Sequence, residues 1–196
     1  MKHTKSYFVK ILIIFLLGFM TNACNQSQDE ELENLNRFTG NVILNSQSDI
    51  NEFAANQYKE ITGYLYIGSY DKNGKQITPF NTDVSDIGAL NTIERVRGDL
   101  FIRGNPILTE LNGLENLKIV EGFLMKISLN SNLAKINGFN NLKSIGKMLL
   151  IAQNESLLDF CGLQNLMKND FDIEYLRSSN GYNPTLEDIV NGNCSQ

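Results

Sequence analysis

The feature that most limits how this chain can fold is an internal repeat in its second half. Residues 105–117, 130–142 and 154–166 all match the pattern N-x-x-L-x-x-(L/I/F)-x-G-(L/F)-x-N-L, at intervals of 25 and 24 residues. Residues 81–88 form an earlier, degenerate copy. A repeat of this length with fixed apolar positions predicts a solenoid, because one coil cannot bury its apolar side chains without neighbours.

The asparagine that begins each copy has a predicted structural role. An asparagine at a coil corner can satisfy unpaired backbone groups with both its amide N–H groups and its carbonyl oxygen. We therefore expect stacked Asn105, Asn130 and Asn154 to form a ladder of hydrogen bonds. The alternative is that these asparagines bind a ligand.

A second recurring segment between these corners predicts strands. Residues 61–67 (ITGYLYI) match residues 96–102 (VRGDLFI), and residues 120–127 and 145–151 are looser copies. Apolar residues that alternate after each glycine are typical of half-buried strands. The alternation predicts inward side chains at Leu65, Leu100 and Leu124. The predicted outward side chains, which we treat as candidate ligand contacts, are Tyr64, Tyr66, Phe101, Phe123 and Met125, with Arg103 beside them.

Residues 97–99 form the tripeptide Arg-Gly-Asp, which some adhesion receptors read on exposed loop tips. Gly98 occupies the same repeat position as Gly63 and Gly122. The tripeptide is therefore predicted to lie at the start of a strand, where it would not act as an adhesion signal.

The N-terminal segment predicts export and lipid attachment. Three lysines precede an apolar run at residues 11–20, which is typical of a signal peptide and short for a membrane span. Ala23 and Cys24 follow in an arrangement that resembles a lipobox, although Thr21 stands where leucine is commonest. We expect a signal peptide at 1–23, lipidation of Cys24, an acidic flexible tether at 24–41 and the solenoid at 42–196. An ordinary signal peptide with an incidental cysteine is the alternative.

Charge, cysteine and histidine content exclude several functional classes. Without residues 1–23 the chain has 14 basic and 22 acidic side chains, a net charge of −8, which disfavours nucleic-acid binding. Cys161 and Cys194 are predicted to form a disulfide in an oxidising compartment, and no metal site or cofactor is predicted. His3 is the one histidine and lies in the signal segment, so histidine-dependent catalysis is not expected.

Two helices and one loop complete the predicted organisation. Residues 48–56 are typical of a helix, with Asp49 and Glu52 at the spacing of a capping box. Residues 183–192 predict a terminal helix that begins at an Asn183 cap, with Pro184 in its first turn. The insertion at residues 69–80 predicts a loop.

The segments at 61–67 and 96–102, the G-L-x-N-L coils and the preceding helix together resemble the receptor L domain, over about residues 42–192. This module occurs in the insulin and epidermal-growth-factor receptor ectodomains. The endings D-F-C-G-L and N-P-T-L-E-D-I-V-N-G-N-C resemble bacterial surface lipoproteins that carry it, and the acidic stretch after Cys24 resembles Bacteroidota surface-export signals. The resemblance implies a short right-handed β-solenoid with parallel coils and helical caps, in an outer-membrane protein that faces the cell exterior. It implies a binding role and no particular ligand site, since the disulfide-bonded ends of the receptor versions are not matched.

Three functions are consistent with the sequence. The first is a non-enzymatic surface module that binds a protein or a glycan through the outward sheet residues. The second is an accessory subunit of an outer-membrane complex. The third is a hydrolase with paired carboxylates, for which the candidate acids are Asp83, Asp86, Glu94 and Asp99. These acids are scattered, so the sequence favours a non-enzymatic protein.

Overall fold

A computed structural model describes residues 36–80, 82–170 and 172–196 of the chain. Within these residues the chain winds through successive coils that stack into two parallel β-sheets. The predicted signal peptide and residues 24–35 of the predicted tether, which include Cys24, lie outside the described residues, whereas residues 36–41 of the tether are described. The first strand begins at Arg37, whereas the predicted start of the solenoid was residue 42.

Each sheet receives its strands in chain order, one per coil, and all pairings are parallel. One sheet, here called the short sheet, contains β1 (Arg37–Phe38), β3 (Glu60–Ile61), β5 (Arg95–Val96), β7 (Ile119–Val120) and β9 (Ser144–Ile145). The other, here called the long sheet, contains β2 (Val42–Leu44), β4 (Leu65–Gly68), β6 (Leu100–Arg103), β8 (Leu124–Ser128), β10 (Met148–Ala152) and β11 (Glu174–Ser178). These stacked parallel coils agree with the predicted solenoid-like fold.

The core is made by the repeat itself. All apolar positions of the pattern are fully buried in the second copy: Leu133, Ile136, Phe139 and Leu142. Burial of one such side chain stabilises the fold by roughly 1.5–3 kcal/mol relative to its exposure. Because each layer rests on the side chains of its neighbours, the core is continuous from coil to coil.

The repeated glycine is needed where the backbone of one coil passes against the next. A Cβ atom on Gly138 would lie 1.9 Å from the carbonyl oxygen of Leu111. At Gly113 the backbone also has a φ of +99°, a conformation that glycine adopts easily and other residues do not. The glycine in the pattern therefore sets the spacing between coils.

The asparagine ladder is confirmed. Asn105 Nδ2 donates to Asn130 Oδ1 at 3.1 Å, and Asn130 Nδ2 donates to Asn154 Oδ1 at 3.2 Å. Each of these Nδ2 groups also donates to a strand carbonyl, as Asn130 does to Ile102 O at 3.1 Å. All three asparagines are fully buried, so their side chains satisfy backbone groups inside the protein and do not meet a ligand.

The ladder is longer than the repeat pattern indicates. Asn154 Nδ2 donates to Asn180 Oδ1 at 3.0 Å, and Asn180 Nδ2 donates to Asn183 Oδ1 at 2.9 Å. At the opposite end the Thr82 hydroxyl donates to Asn105 Oδ1 at 2.9 Å. Asn180 was missed because the apolar pattern around it is incomplete, although it stands 26 residues after Asn154, close to the repeat interval.

The first helix, α1 (Gln47–Ala54), begins earlier than predicted. Its N-cap is Ser46, whose hydroxyl oxygen accepts the backbone N–H of Asp49 at 3.1 Å. The Asp49 carboxylate in turn accepts the N–H of Asn45 at 3.0 Å. The prediction that Asp49 itself caps the helix was therefore wrong, because Asp49 already lies in the first turn.

The last helix, α3 (Leu186–Val190), begins later than predicted. Thr185 and Asp188 form a capping box, in which Asp188 N donates to the Thr185 hydroxyl at 3.0 Å. Asn183 was predicted as the cap, but its side chain is engaged by Asn180 at the end of the ladder. The remaining helical segments are α2 (Gln164–Asn169) and two 3-10 turns, Gly88–Leu90 and Cys161–Leu163.

The predicted disulfide between Cys161 and Cys194 is confirmed, with a Cα–Cα distance of 5.0 Å. It joins the last repeat copy to the segment after α3. Backbone contact reinforces it, since Phe160 N donates to Cys194 O at 2.9 Å. Over the described ranges, no helix has both the length and the apolar character needed to cross a membrane.

Candidate binding face

The outer surface of the long sheet is the candidate site, and its centre is a row of mostly apolar side chains. Strand register aligns one outward residue from each strand, and we call this row the central column: Ile43, Tyr66, Phe101, Lys126, Leu150 and Leu176. The first five side chains are half-buried, and Leu176 is exposed. Core packing does not require apolar groups here, because the inward positions of the same strands already fill the interior.

One predicted contact residue was assigned to the wrong face. Met125 is fully buried and pairs in register with Leu100, whereas Lys126 pairs with Phe101 and takes the outward position. The segment that leads into β8 has one residue more between Gly122 and Ile127 than the earlier copies have. Since strand side chains alternate, a shift of one residue exchanges the two faces. Leu124, predicted to point inward, is accordingly half-buried on the outer side.

The extra residue leaves Phe123 in the turn before β8, where its side chain is 63% exposed. It is the most exposed large apolar side chain among the described residues. Phe123 and Leu176, which is 41% exposed, are thus two large apolar side chains open to solvent at the long sheet and its flanking turn. Phe123 is therefore exposed, as predicted, but it lies in the turn and not in the strand.

Three aromatic side chains at one end of the face form a stack with Tyr66 in the middle. Its ring centroid lies 4.0 Å from that of Tyr64 and 4.5 Å from that of Phe101, with interplanar angles of 20° and 2°. Burial raises the pKa of Tyr66, and nearby Asp99 and Tyr64 add to this effect. Because the rings cover one another's faces, the stack presents mainly ring edges to a ligand.

The insertion between β4 and β6 covers part of the face. Tyr70 is 1% exposed, and its ring centroid lies 4.7 Å from that of Tyr66. The Asp71 carboxylate holds the loop in shape by accepting the backbone N–H groups of Asn73 and Lys75 at 2.8 and 2.9 Å. The open part of the face therefore lies toward β8, β10 and β11.

Arg103 was predicted as an exposed contact beside the aromatic residues, and the structure corrects this. The side chain is on the outer side of β6, but only 5% of it is exposed. The Phe80 ring lies over the guanidinium, with its centroid 4.7 Å from Cζ. The insertion thus closes over Arg103, which the strand alternation alone does not reveal.

The Arg-Gly-Asp tripeptide lies between β5 and β6, as the repeat predicts. Arg97 Nε forms an ion pair with Glu60 at 2.6 Å. The Asp99 carboxylate accepts the backbone N–H of Leu124 at 3.0 Å. Both charged side chains are occupied by contacts within the sheets, which is unlike an adhesion motif on a loop tip.

The candidate catalytic acids do not gather into one pocket. Asp83 accepts the N–H of Gln47 at 2.9 Å, and Asp86 accepts that of Gly88 at 2.7 Å. Glu94 forms ion pairs with Lys59 and Lys118, and hydrogen bonding from Lys118 lowers its pKa. In the part of the chain that the structure describes, no group of three or more His, Cys, Asp or Glu side chains could hold a metal ion.

The chain was compared with models of known protein families. The family model described as "Receptor L domain" matches residues 59–170, which include β4 to β10 and the repeat copies. No curated protein matches the chain.

Proposed function

Because the chain belongs to the receptor L domain family, whose members are ligand-binding modules, we propose that it is a lipid-anchored surface protein that binds its partner through the long sheet. The observation that carries this proposal is the central column. It places apolar side chains on a sheet face that the core does not need, and it ends at exposed Leu176. Contiguous exposed apolar groups on a folded domain commonly mark contact surfaces.

We propose a protein as the partner, with a glycan as the alternative. A sugar ring packs against an open aromatic face, but both faces of the Tyr66 ring are occupied by Tyr64 and Phe101. The open part of the surface instead offers the aliphatic side chains Leu150 of β10 and Leu176 of β11, with Phe123 exposed in the turn before β8. A mixed aliphatic and aromatic surface suits a protein segment with apolar side chains.

The location follows from the sequence and is also a proposal. We propose that residues 1–23 are removed, that Cys24 is lipidated, and that the protein is an outer-membrane lipoprotein of the Bacteroidota type that faces the cell exterior. The Cys161–Cys194 disulfide supports an oxidising compartment. In the native cell, Cys24→Ser should move the protein from the membrane fraction to the soluble fraction. A Cys24→Ser protein that is processed and stays in the membrane would refute the anchor.

We further propose that the protein has no catalytic activity, which is supported by the separate structural contacts of the candidate acids. Turnover of any glycan or peptide that a single carboxylate substitution abolishes would contradict this. An accessory role in an outer-membrane complex would require stable co-purification with membrane proteins through the same face.

The binding test uses the lipid-free chain, made as Cys24→Ser, on arrays of surface proteins and glycans. Any ligand found is then measured against two variants. Phe123→Ala with Leu176→Ala removes the two exposed apolar groups of the face, and Ile107→Ala with Leu158→Ala removes two similar groups, 47% and 41% exposed, outside the long sheet. We expect the first pair to weaken binding about tenfold or more, since a few residues carry most of the binding energy of an interface, and the second to leave it unchanged. Equal losses in both pairs would refute the assignment of the face.

A further inference from the structure

Lys126 of the central column and three neighbouring residues form a group of polar side chains that the apolar contact does not explain. We call it the polar cluster: Tyr70, Arg103, Lys126 and Ser128. Arg103 and Ser128 are direct partners in the register of β6 and β8, and Lys126 precedes Ser128 on the same face of β8. Tyr70 comes from the insertion and lies close enough to Arg103 for the two to interact electrostatically.

The buried groups of the polar cluster have hydrogen-bonding capacity that the described residues do not use. Tyr70 Oη, Arg103 Nε and Ser128 Oγ are all buried without a hydrogen-bond partner. Their residues are 1%, 5% and 1% exposed. The guanidinium has one long contact, from Nη1 to Ser69 O at 3.4 Å. Buried polar groups are normally satisfied, so three unpartnered donors in one place call for an explanation.

The cluster is also cationic with no anion to balance it. Ion pairs occupy other cations of the described chain, including Arg37, Arg95, Arg97, Lys59 and Lys118, but none involves Arg103 or Lys126. Burial lowers the pKa of the Lys126 amine, and the charge of Arg103 adds to this effect. An uncompensated buried charge is destabilising. The predicted mature chain has a net charge of −8, so it contains an excess of acidic side chains that could pair with these cations.

We propose that the polar cluster is an oxyanion site that takes a carboxylate of the protein partner. The hydroxyl groups of Tyr70 and Ser128 and the N–H groups of Arg103 donate to its oxygens, and Lys126 supplies a second positive charge. Charge-assisted hydrogen bonds of this kind are the strongest that proteins make. The positive edges of the Tyr66 and Phe101 rings favour the same sign of ligand charge.

An open cleft lies where the chain leaves β8, β10 and β11, next to the cluster. The cleft has a volume of about 540 Å³ and is lined by Phe80, whose ring covers the Arg103 guanidinium, and by Leu129, which directly follows Ser128. Glu155 also lines it, so an anion has to bind on the Phe80 side. Rotation of the half-exposed Phe80 side chain would open the guanidinium to this cleft. Lys126 is half-exposed on the central column, so an anion can contact it from the apolar face.

The inference rests on the proposed function for the identity of the partner, but the anion site can be tested without it. The protein is labelled with nitrogen-15, and the Arg103 Nε–Hε resonance is followed in NMR spectra at constant ionic strength. Sodium chloride is replaced stepwise by sodium acetate, as a carboxylate probe, or by sodium sulfate. The matched variants are Lys126→Gln, in the cluster, and Lys143→Gln, which replaces an exposed lysine next to the short sheet.

We expect acetate and sulfate to shift the Arg103 resonance with saturation in the wild-type protein and in Lys143→Gln. In Lys126→Gln, which leaves the core untouched, affinity should fall about threefold or more, since a partly exposed charge contributes a modest Coulomb energy. No saturable shift, or equal affinity in both variants, would overturn the proposal and leave Arg103 as an anchor for the insertion.

The two proposals fail in different ways. If the anions do not bind but Phe123→Ala with Leu176→Ala still abolishes partner binding, the oxyanion site is refuted and the contact face stands. If sulfate and acetate bind as expected but partner binding is unaffected by that pair, the contact face is refuted. A partner that binds through the cluster should also compete with acetate and should bind Lys126→Gln more weakly.

Discussion

The asparagine ladder allows a quantitative prediction for Asn130→Ala. The Asn130 side chain makes four hydrogen bonds: its Nδ2 donates to Ile102 O and Asn154 Oδ1, and its Oδ1 accepts the backbone N–H and the Nδ2 of Asn105. A typical buried hydrogen bond contributes about 1 kcal/mol net. We therefore expect the substitution to lower the free energy of unfolding by about 4 kcal/mol, a large part of the total for most domains.

The matched control is Asn132→Ala, in the same coil. Asn132 is exposed and makes one side-chain hydrogen bond, from Nδ2 to Pro106 O at 2.7 Å. Its replacement should lower the free energy of unfolding by about 1 kcal/mol or less. The assay is urea denaturation followed by circular dichroism, with the disulfide intact in all proteins. For a slope of about 2 kcal/mol per molar urea, the Asn130→Ala midpoint should fall by about 2 M.

The result that would refute this reasoning is a similar, small change in both variants. It would mean that the buried backbone groups around Asn130 find other partners and that the ladder is not a source of stability. A change in the slope of the unfolding free energy against urea concentration, without a change in the urea midpoint, would instead indicate an effect on the compactness of the unfolded chain.

Three further predictions concern stability. Replacement of Cys161 and Cys194 by serine should lower the free energy of unfolding by about 3–4 kcal/mol, because the disulfide closes a segment of 33 residues. A urea denaturation midpoint equal to that of the wild type would refute this. Gly138→Ala should destabilise the fold by about 2 kcal/mol or more, since the new methyl group would overlap the backbone of the preceding coil at Leu111; a melting temperature equal to that of the wild type would contradict this. Burial raises the pKa of Tyr70 and Tyr175, so the folded state favours their neutral form. That stabilisation is complete below about pH 10, where unfolded tyrosine ionises, and is lost as the pH rises further; absorbance titration should show both phenols protonated until the protein unfolds.

The assignment of Met125 shows where a strand pattern can mislead. Alignment of the copies on their glycines places Met125 outside and Leu124 inside. The structure aligns Ile127 with Ile102, each three residues before a ladder asparagine. Alignment on the asparagines would have identified Lys126 as the outward residue, because the spacing at the buried corner is constant while the turn after the glycine varies.

The repeat by itself determined the solenoid-like fold, the buried apolar positions within the copies at 105–117, 130–142 and 154–166, and the ladder at Asn105, Asn130 and Asn154. These follow from local spacing, since equivalent residues of stacked coils must meet. The tertiary structure alone decided what happens to Arg103 and Tyr70. The insertion at residues 69–80 has no repeat that would define its path. Arg103 points outward from β6 and is buried only because this insertion packs over it. The oxyanion site and the extent of the open face depend on that packing, because desolvation and the order of neighbours across a sheet are properties of the folded chain.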